Sequence, residues 1–255
     1  MSIMLEAREI TKKYVSNGIP YIALDQINVQ VEEGEFIGIM GPSGSGKTTL
    51  LNVLSTIDLP SSGDVIIAGK NLNTLNEKNM AKFRREELGF IFQDYNLLNA
   101  LTVRENIALP LALGKADVNE IDKRVIEVAT TFGIEPILDK FPNEISGGQK
   151  QRTASSRAIV TNPSLIFADE PTGALDSKSG QDLLESMKRL NEMHKATIMM
   201  VTHDAFAASF CERILFIKDG TIVDELLRGP STRKEFFQRI LDELAKIGGD
   251  IRDII

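Results

Sequence analysis

A chain of 255 residues, 42% hydrophobic and 25% charged, has the make-up of a globular protein with a substantial core, and its formal net charge of −7 argues against affinity built on coating nucleic-acid phosphates. The single cysteine, Cys211, excludes an internal disulfide and a cysteine-ligated metal cluster, and it points to a reducing, cytosolic compartment. The opening "MSIMLEAREITKKY" lacks an apolar signal-peptide core, and no apolar run reaches the roughly 18 residues of a spanning helix, so work at a membrane would require docking there.

In chain order, "MLEAREITKKY" and "IALDQINVQV" show partial period-2 alternation and predict two short strands, and "EEGEF" turns into the apolar strand "FIGIM". Together they predict an antiparallel β patch. Next comes "GPSGSGKT", which fits G-x-x-x-x-G-K-S/T and lies between that strand and the helical "TTLLNVL". Along Gly41, Pro42, Ser43, Gly44, Ser45 and Gly46 the backbone can wrap phosphate oxygens closely and aim its amides inward. Lys47 adds a point charge for the outer phosphates, Thr48 offers a hydroxyl to Mg²⁺, and Thr49 completes the set at the helix start. A Mg²⁺-bound nucleoside triphosphate such as ATP is the matching ligand.

"PSSGDVIIAGK" reads as turn, strand, turn, and "ELGFIFQ" as an apolar strand ending at Gln93. The following segment is helical. Thr102 and Glu105 in "LTVRENI", then Asp117 and Glu120 in "ADVNEIDKRVIEVATTFG", have capping-box spacing, and Ile121, Val125, Val128 and Phe132 share one face ahead of a C-terminal Gly133. This predicts a helical insertion over about residues 93–162. Within it, "NEISGGQKQRTASSRA" puts two glycines at the front of a helix, where glycine costs stability. What that arrangement offers is bare amides at a positive helix end, a place for an anion.

"SLIFADE" and "ATIMMVTHD" are runs dense in β-formers, as in strands buried on both faces of a parallel sheet, and each ends in polar chemistry. Asp169 stands at the end of the first, placed to hold Mg²⁺ through its water shell. Glu170, one residue on, can act on a water as general base. His203 ends the second run as Gln93 ends "GFIFQ", and open α/β sheets gather ligand contacts at such strand mouths. "RILFIKDGTIVDE" is a hairpin with Asp219-Gly220 at its turn. Last, "STRKEFFQRILDELAKI" has Thr232 and Glu235 at capping spacing and Phe237, Ile240, Leu241 and Leu244 on one face; it packs on the body or docks to a partner.

Taken in order, "GPSGSGKT", Gln93, "ISGGQ", "LIFADE", "GALD" and His203 resemble the ATPase subunits of ABC transporters, and the resemblance covers essentially the whole chain. It implies one domain over residues 1–255: a doubly wound P-loop NTPase sheet with the β patch (1–92 and 163–230), the helical insertion (93–162) and a C-terminal amphipathic helix (231–255). It implies a homodimer with ATP between two copies, where Ser146, Gly147, Gly148 and Gln149 of one copy reach the γ-phosphate held by the other. By the same resemblance Tyr14 stacks on adenine, Gln93 senses Mg²⁺ and the attacking water, Asp176 communicates across the dimer, and His203 clamps the γ-phosphate beside Glu170. Ile145 stands where leucine is usual before "SGGQ", a similar-sized apolar swap.

In that family "DYNLLNALTVRENI" is the surface that receives a coupling helix of the membrane permease; read from the residues alone, its leucines serve equally as core. "LNVLSTID", "FIFQDYNLLNALTVREN", "ISGGQKQRT" and "FADEPTGALDSKS" are similar to the bacitracin-type peptide-antibiotic resistance ATPases within the lipoprotein-release and macrolide-export group. That type implies a peripheral place on the cytoplasmic membrane face, a separate permease, often a sensor kinase reached through it, and either export of the antibiotic or its release from a lipid target. Two other classes compete. A soluble relative acting on DNA or ribosomes would bring a coiled coil, a zinc module or two ATPase halves in one chain, none of which the sequence shows, and the acidic balance speaks against nucleic acid. A monomeric P-loop kinase or G protein would leave "SGGQ" without a purpose and would need an Asn-Lys-x-Asp base reader that is missing here.

Overall fold

Residues 2–16 and 18–248 are described by a computed structural model of the chain. In chain order the elements are β1 (Ile3–Ser16), β2 (Ile19–Glu32), β3 (Phe36–Met40), α1 (Lys47–Leu54), β4 (Ser62–Ile67), β5 (Lys70–Asn71), α2 (Glu77–Glu87), β6 (Leu88–Phe92), α3 (Val103–Leu113), α4 (Val118–Thr131), α5 (Gly147–Ile159) and β7 (Leu165–Asp169). They continue as α6 (Ser177–His194), β8 (Thr197–Val201), α7 (Ala205–Ala208), β9 (Arg213–Lys218), β10 (Thr221–Leu227) and α8 (Arg233–Ile247). The predicted β patch is an antiparallel sheet in the order β2-β1-β4-β5, and the six-stranded second sheet runs β10-β9-β3-β8-β7-β6.

All strand pairs of the larger sheet are parallel except the β9–β10 hairpin at its edge, whose turn residues Asp219 (φ 49°) and Gly220 (φ 77°) both take the left-handed conformation a two-residue hairpin needs. Period-2 alternation sorts its residues between two cores. Ile37 and Ile39 of β3, Phe167 of β7, Met199 and Val201 of β8 and Ile217 of β9 pack toward the antiparallel sheet and α1. Their neighbours Phe36, Met40, Ile166, Ala168, Ile198, Met200 and Phe216 pack with the helices of the opposite layer. Strands hidden on both faces are continuously apolar, which is why "FIGIM" and "TIMMV" read so clearly.

The register aligns the carboxyl ends of the strands. Phe92 pairs Asp169, Asp169 pairs Val201, and Val201 pairs Ile39, so whatever follows β6, β7, β8 and β3 is delivered to one edge.

The helices carry the main corrections to the sequence reading. α2 and α6 lie outside its expectations. At α4 no capping box forms: Asp117 accepts from the amide of Asn119, whereas the boxes of Thr102 with Glu105 and Thr232 with Glu235 do close. Val125, Val128 and Phe132 are buried as expected and Gly133 is left-handed (φ 64°) beyond the helix end, while Ile121 is only half-buried. On α8 the predicted Ile240 and Leu244 are buried, and the prediction missed Phe236. Phe236 is 0% exposed, and the predicted Phe237 and Leu241 flank the buried face half-buried. The helix packs on the body; residues 249–255 of the predicted segment lie outside the described residues. Phe236→Ala therefore costs about 3–5 kcal/mol, read as a fall of roughly 10 °C or more in the unfolding midpoint, against a small change for Phe237→Ala. Equal losses would show that Phe237 contributes to the core as much as Phe236.

Candidate active site

After β3 the chain cannot continue as a strand, because Gly41 (φ 155°) turns against β9 so closely that a Cβ would lie 2.0 Å from the carbonyl oxygen of Ile217. The loop closes at Gly46 (φ 105°), which caps α1 with no side chain and has the Ala23 carbonyl 2.7 Å from its Cβ position. The first backbone bond of α1 runs from Leu50 to Gly46, so the amides of Lys47, Thr48 and Thr49 are spare at a positive helix end. Ser43 and Gly44 form the exposed rim with open space over Gly44, Pro42 is half-buried, and the buried Ser45 hydroxyl has no partner. From below, the β9–β10 turn props the loop: the Gly220 amide donates to the Ser45 carbonyl. The sequence showed Asp219-Gly220 only as a hairpin turn.

Lys47 lies across this cradle, its Nζ donating to the carbonyls of Gly41 and Pro42, each at 2.9 Å. Burial pushes the ammonium down from the ordinary lysine value, and the charges of Glu170 and Asp169 work against that shift. Beside it the Asp169 carboxyl is pushed up, first by burial and then by Glu170, with Lys47 and Thr48 opposing. Its Oδ1 is buried without a hydrogen-bond partner. An orphaned carboxylate oxygen next to the Thr48 hydroxyl and a row of free amides fits a divalent cation arriving with phosphate oxygens, the mode in which Mg²⁺ binds.

Glu170 follows in a left-handed conformation (φ 46°), held by its amide bond to Val201 and by the Gly173 amide on its carbonyl. Such a backbone is tolerated where surrounding bonds over-determine it. His203 Nδ1 donates to Glu170 Oε1 at 2.9 Å, so the carboxylate has an oriented neighbour and the ring keeps Nε2 free at an exposed position. Gln93 reaches the same edge, its amide packed against Gly173, where a Cβ would come within 3.0 Å. Tyr14, on β1, is half-buried beside α1: its hydroxyl donates to Asp58 at 2.7 Å and also interacts with Thr49, and burial together with Asp58 raises its pKa to about 12. Lys12 stands 4.9 Å over its ring and Tyr21 5.7 Å away. Asp58, missed in the sequence, thus fixes the tyrosine through a contact 44 residues along the chain.

The remaining predicted residues gather elsewhere. Ser146 caps α5: its Oγ accepts from the Gln149 amide at 3.3 Å, and the Gln149 side chain accepts from the Ser146 amide at 2.9 Å. The Ser146 hydroxyl proton and the amides of the half-buried Gly147 and the buried Gly148 make no hydrogen bond within the described residues. A Cβ added at either glycine would meet Tyr95, Ser179 or Arg152, none of them in the phosphate cradle. Asp176 caps α6, taking the Ser179 amide at 3.0 Å and the Ser179 hydroxyl at 2.7 Å, which holds its carboxyl below the usual range. Tyr95, Arg157 and Ser179, which surround this second cluster, were not legible in the sequence.

A glycine cradle on a buried strand, a lysine across it, and an Asp-Glu pair ending the second strand along define a P-loop nucleotide hydrolase. The particular branch follows from comparison: residues 24–173 match the family model described as ABC transporter, and the chain belongs to that family and hydrolyses ATP. It is 54% identical over 252 residues to the uncharacterized ABC transporter ATP-binding protein YvcR of Bacillus subtilis, covering 98% of this chain and 97% of that one. It is also 54% identical to the bacitracin export ATP-binding protein BceA of Halalkalibacterium halodurans, over 96% of this chain and 97% of the other. The macrolide export ATP-binding/permease protein MacB of Vibrio parahaemolyticus is 40% identical over 88% of this chain, which spans 34% of MacB. Among solved structures, a dimeric post-hydrolysis state of the ATP-binding cassette MJ0796 of Methanocaldococcus jannaschii, bound to ADP and Pi, superposes with a TM-score of 0.82 at 41% identity, covering 88% of this chain and 98% of that one.

Proposed function

We propose that this chain is the ATP-hydrolysing subunit of a transporter in which a separate permease crosses the membrane, and that it works as a homodimer on the cytoplasmic face. The observation that carries the reading is the division of the site: spare amides at Gly147 and Gly148 stand apart from the cradle of their own molecule. A second copy supplies the missing half. Ser146, Gly147, Gly148 and Gln149 of one protomer then meet the γ-phosphate cradled by Gly41–Thr49 of the other, adding a helix dipole where charge develops. Dimeric solved structures of MJ0796, one of them bound to ADP and Pi, support a homodimer.

Within the closed site Glu170 takes the proton of the attacking water, and His203, bonded to it, orients the carboxylate and meets the γ-phosphate. Thr48, Gln93 and Asp169 would hold Mg²⁺, which screens the phosphate charge when bound. Tyr14 offers its face to adenine, and Asp176, at the N-terminus of α6, reaches toward the partner copy. If assembly is required, specific activity rises with protein concentration before it levels off. A specific activity constant from nanomolar protein upward would overturn the homodimer.

No helix among the described residues is long and apolar enough to cross a membrane, and a permease partner accounts for how such a chain drives transport. The docking face is the groove of about 480 Å³ between α2, β6, α3 and α5, where Arg84, Arg85 and Arg157 surround Phe90, Phe92 and Pro110. Beside it Leu98 is 49% exposed, whereas Val103 and Ile107 of α3 are fully buried; the apolar residues of this stretch divide between surface and core. Higher identity to a bacitracin export protein than to MacB favours a peptide antibiotic as the molecule exported or detached. Cells carrying Glu170→Gln should lose resistance to bacitracin-type peptides and keep macrolide tolerance. The opposite pattern would favour the macrolide type, and recovery of ribosomes or DNA without a membrane protein in a pull-down would remove the transporter reading.

A further inference from the structure

Both glycines of "SGGQ" lie close against side chains of the same molecule. A Cβ on Gly147 would stand 3.1 Å from the Tyr95 hydroxyl, and one on Gly148 would stand 2.8 Å from the Ser179 hydroxyl. Neither neighbour is idle. The Tyr95 hydroxyl donates to the carbonyl of Ala174 at 3.3 Å, two residues before Asp176, and the Ser179 hydroxyl donates to Asp176 itself. The bare backbone at the front of α5 therefore rests on a seat made from the loop after Gln93 and the loop around Asp176.

The seat is rigidly built. Tyr95 (φ 59°) and Asn96 (φ 50°) are consecutive left-handed residues, a conformation tyrosine adopts only under constraint. The constraint is Arg157, further along α5, whose Nη2 and Nη1 donate to the carbonyls of Tyr95 at 2.8 Å and Asn96 at 2.6 Å. Gln151 of the same helix donates to the Phe92 carbonyl at 3.3 Å, so α5 grips the loop on both sides of Gln93. The buried Asn106 fixes its far end through Leu98 and Leu101.

We infer that Tyr95 and Ser179 are positioning residues for the signature glycines: they hold Gly147, Gly148 and Asp176 in one fixed geometry, so that the half-site offered to a partner moves as a unit with the loop of Gln93. The inference rests on the homodimer reading above. It separates two properties of the protein. The hydrogen bonds of Lys47 and the glycine loop do not involve Tyr95 or Ser179, and Gln93 alone is common to both, whereas the half-site offered to a partner is shaped by the seat.

The test places Tyr95→Phe in two backgrounds. In the otherwise native chain, kcat falls about five-fold, the scale of one hydrogen bond, while KM for ATP stays within about two-fold. In Glu170→Gln, the ATP-driven dimer followed by analytical ultracentrifugation weakens by about the same five-fold factor, with the unfolding midpoint unchanged. Ser179→Ala gives the same split. Unaltered kcat and dimer affinity in Tyr95→Phe, or a change confined to KM, would overturn the seat while leaving the homodimer standing. A Glu170→Gln protein that stays monomeric in saturating ATP with Tyr95 intact would overturn the homodimer and the seat together.

Discussion

Glu170→Gln is expected to lower ATP turnover by about 10³-fold and leave a stable, ATP-loaded dimer, because in the proposed mechanism the change removes a base without removing a contact. The amide is the size of the carboxylate, and its carbonyl oxygen still accepts from His203 Nδ1, now 2.9 Å from Oε1, so the ring is not released. The left-handed backbone at Glu170 is kept by bonds to Val201 and Gly173 that involve no side chain. What disappears is proton affinity. Cradle and signature contacts persist, so the closed state accumulates; light scattering with and without ATP reads the dimer, and phosphate release reads the turnover. Turnover at the native rate would reject Glu170 as the base, and loss of turnover with no dimer would mean that closure needs the carboxylate charge.

How much of this was legible in the sequence depends on the range of the interactions that carry it. Gly41–Thr48, Asp169, Glu170 and His203 could be read because each is local chemistry at the end of an apolar strand, and parallel pairing brings such ends to one edge. The bare amides of the glycine pair could be read from the sequence, yet the side chains packed against it stayed hidden. Tyr95 and Ser179 lie 52 or fewer residues from the glycines they back, and no periodicity links them. Arg157 carries no local sequence signal, and only the fold shows it binding two carbonyls more than 60 residues away.

Secondary structure failed where the pattern was thin or ambiguous in phase. α2 buries only Met80 and Phe83 in "EKNMAKFRREE", too few apolar positions to register as a stripe. α6 buries Leu183, Leu184, Met187 and Leu190 at helical spacing, a pattern available in the sequence and passed over. On α8 the adjacent Phe236 and Phe237 both fit a helical stripe ending at Ile240 and Leu244, and packing chooses Phe236. Composition alone gives no reason to prefer it.

Gly41→Ala and Gly44→Ala separate steric demand from backbone conformation in the same loop. Both glycines have positive φ, at 155° and 75°, so each alanine bears a conformational penalty of about 1–2 kcal/mol. Only Gly41 also has an atom in the way. Its Cβ would lie 2.0 Å from the Ile217 carbonyl oxygen and 2.9 Å from Ser45 Oγ, whereas the Gly44 position has nothing within 4 Å. Ile217 is fully buried in β9, which pairs with β3 on one side and β10 on the other, so relief must come from the loop. Displacing Gly41 carries off one of the two carbonyls that Lys47 binds and disturbs the amide row of α1. Gly41→Ala should cost about 3 kcal/mol or more in stability and weaken ATP binding by over about 100-fold, against about 1 kcal/mol and under about ten-fold for Gly44→Ala. Thermal unfolding with titration calorimetry measures both, and equal effects at the two positions would show that the β9 contact does not shape the cradle.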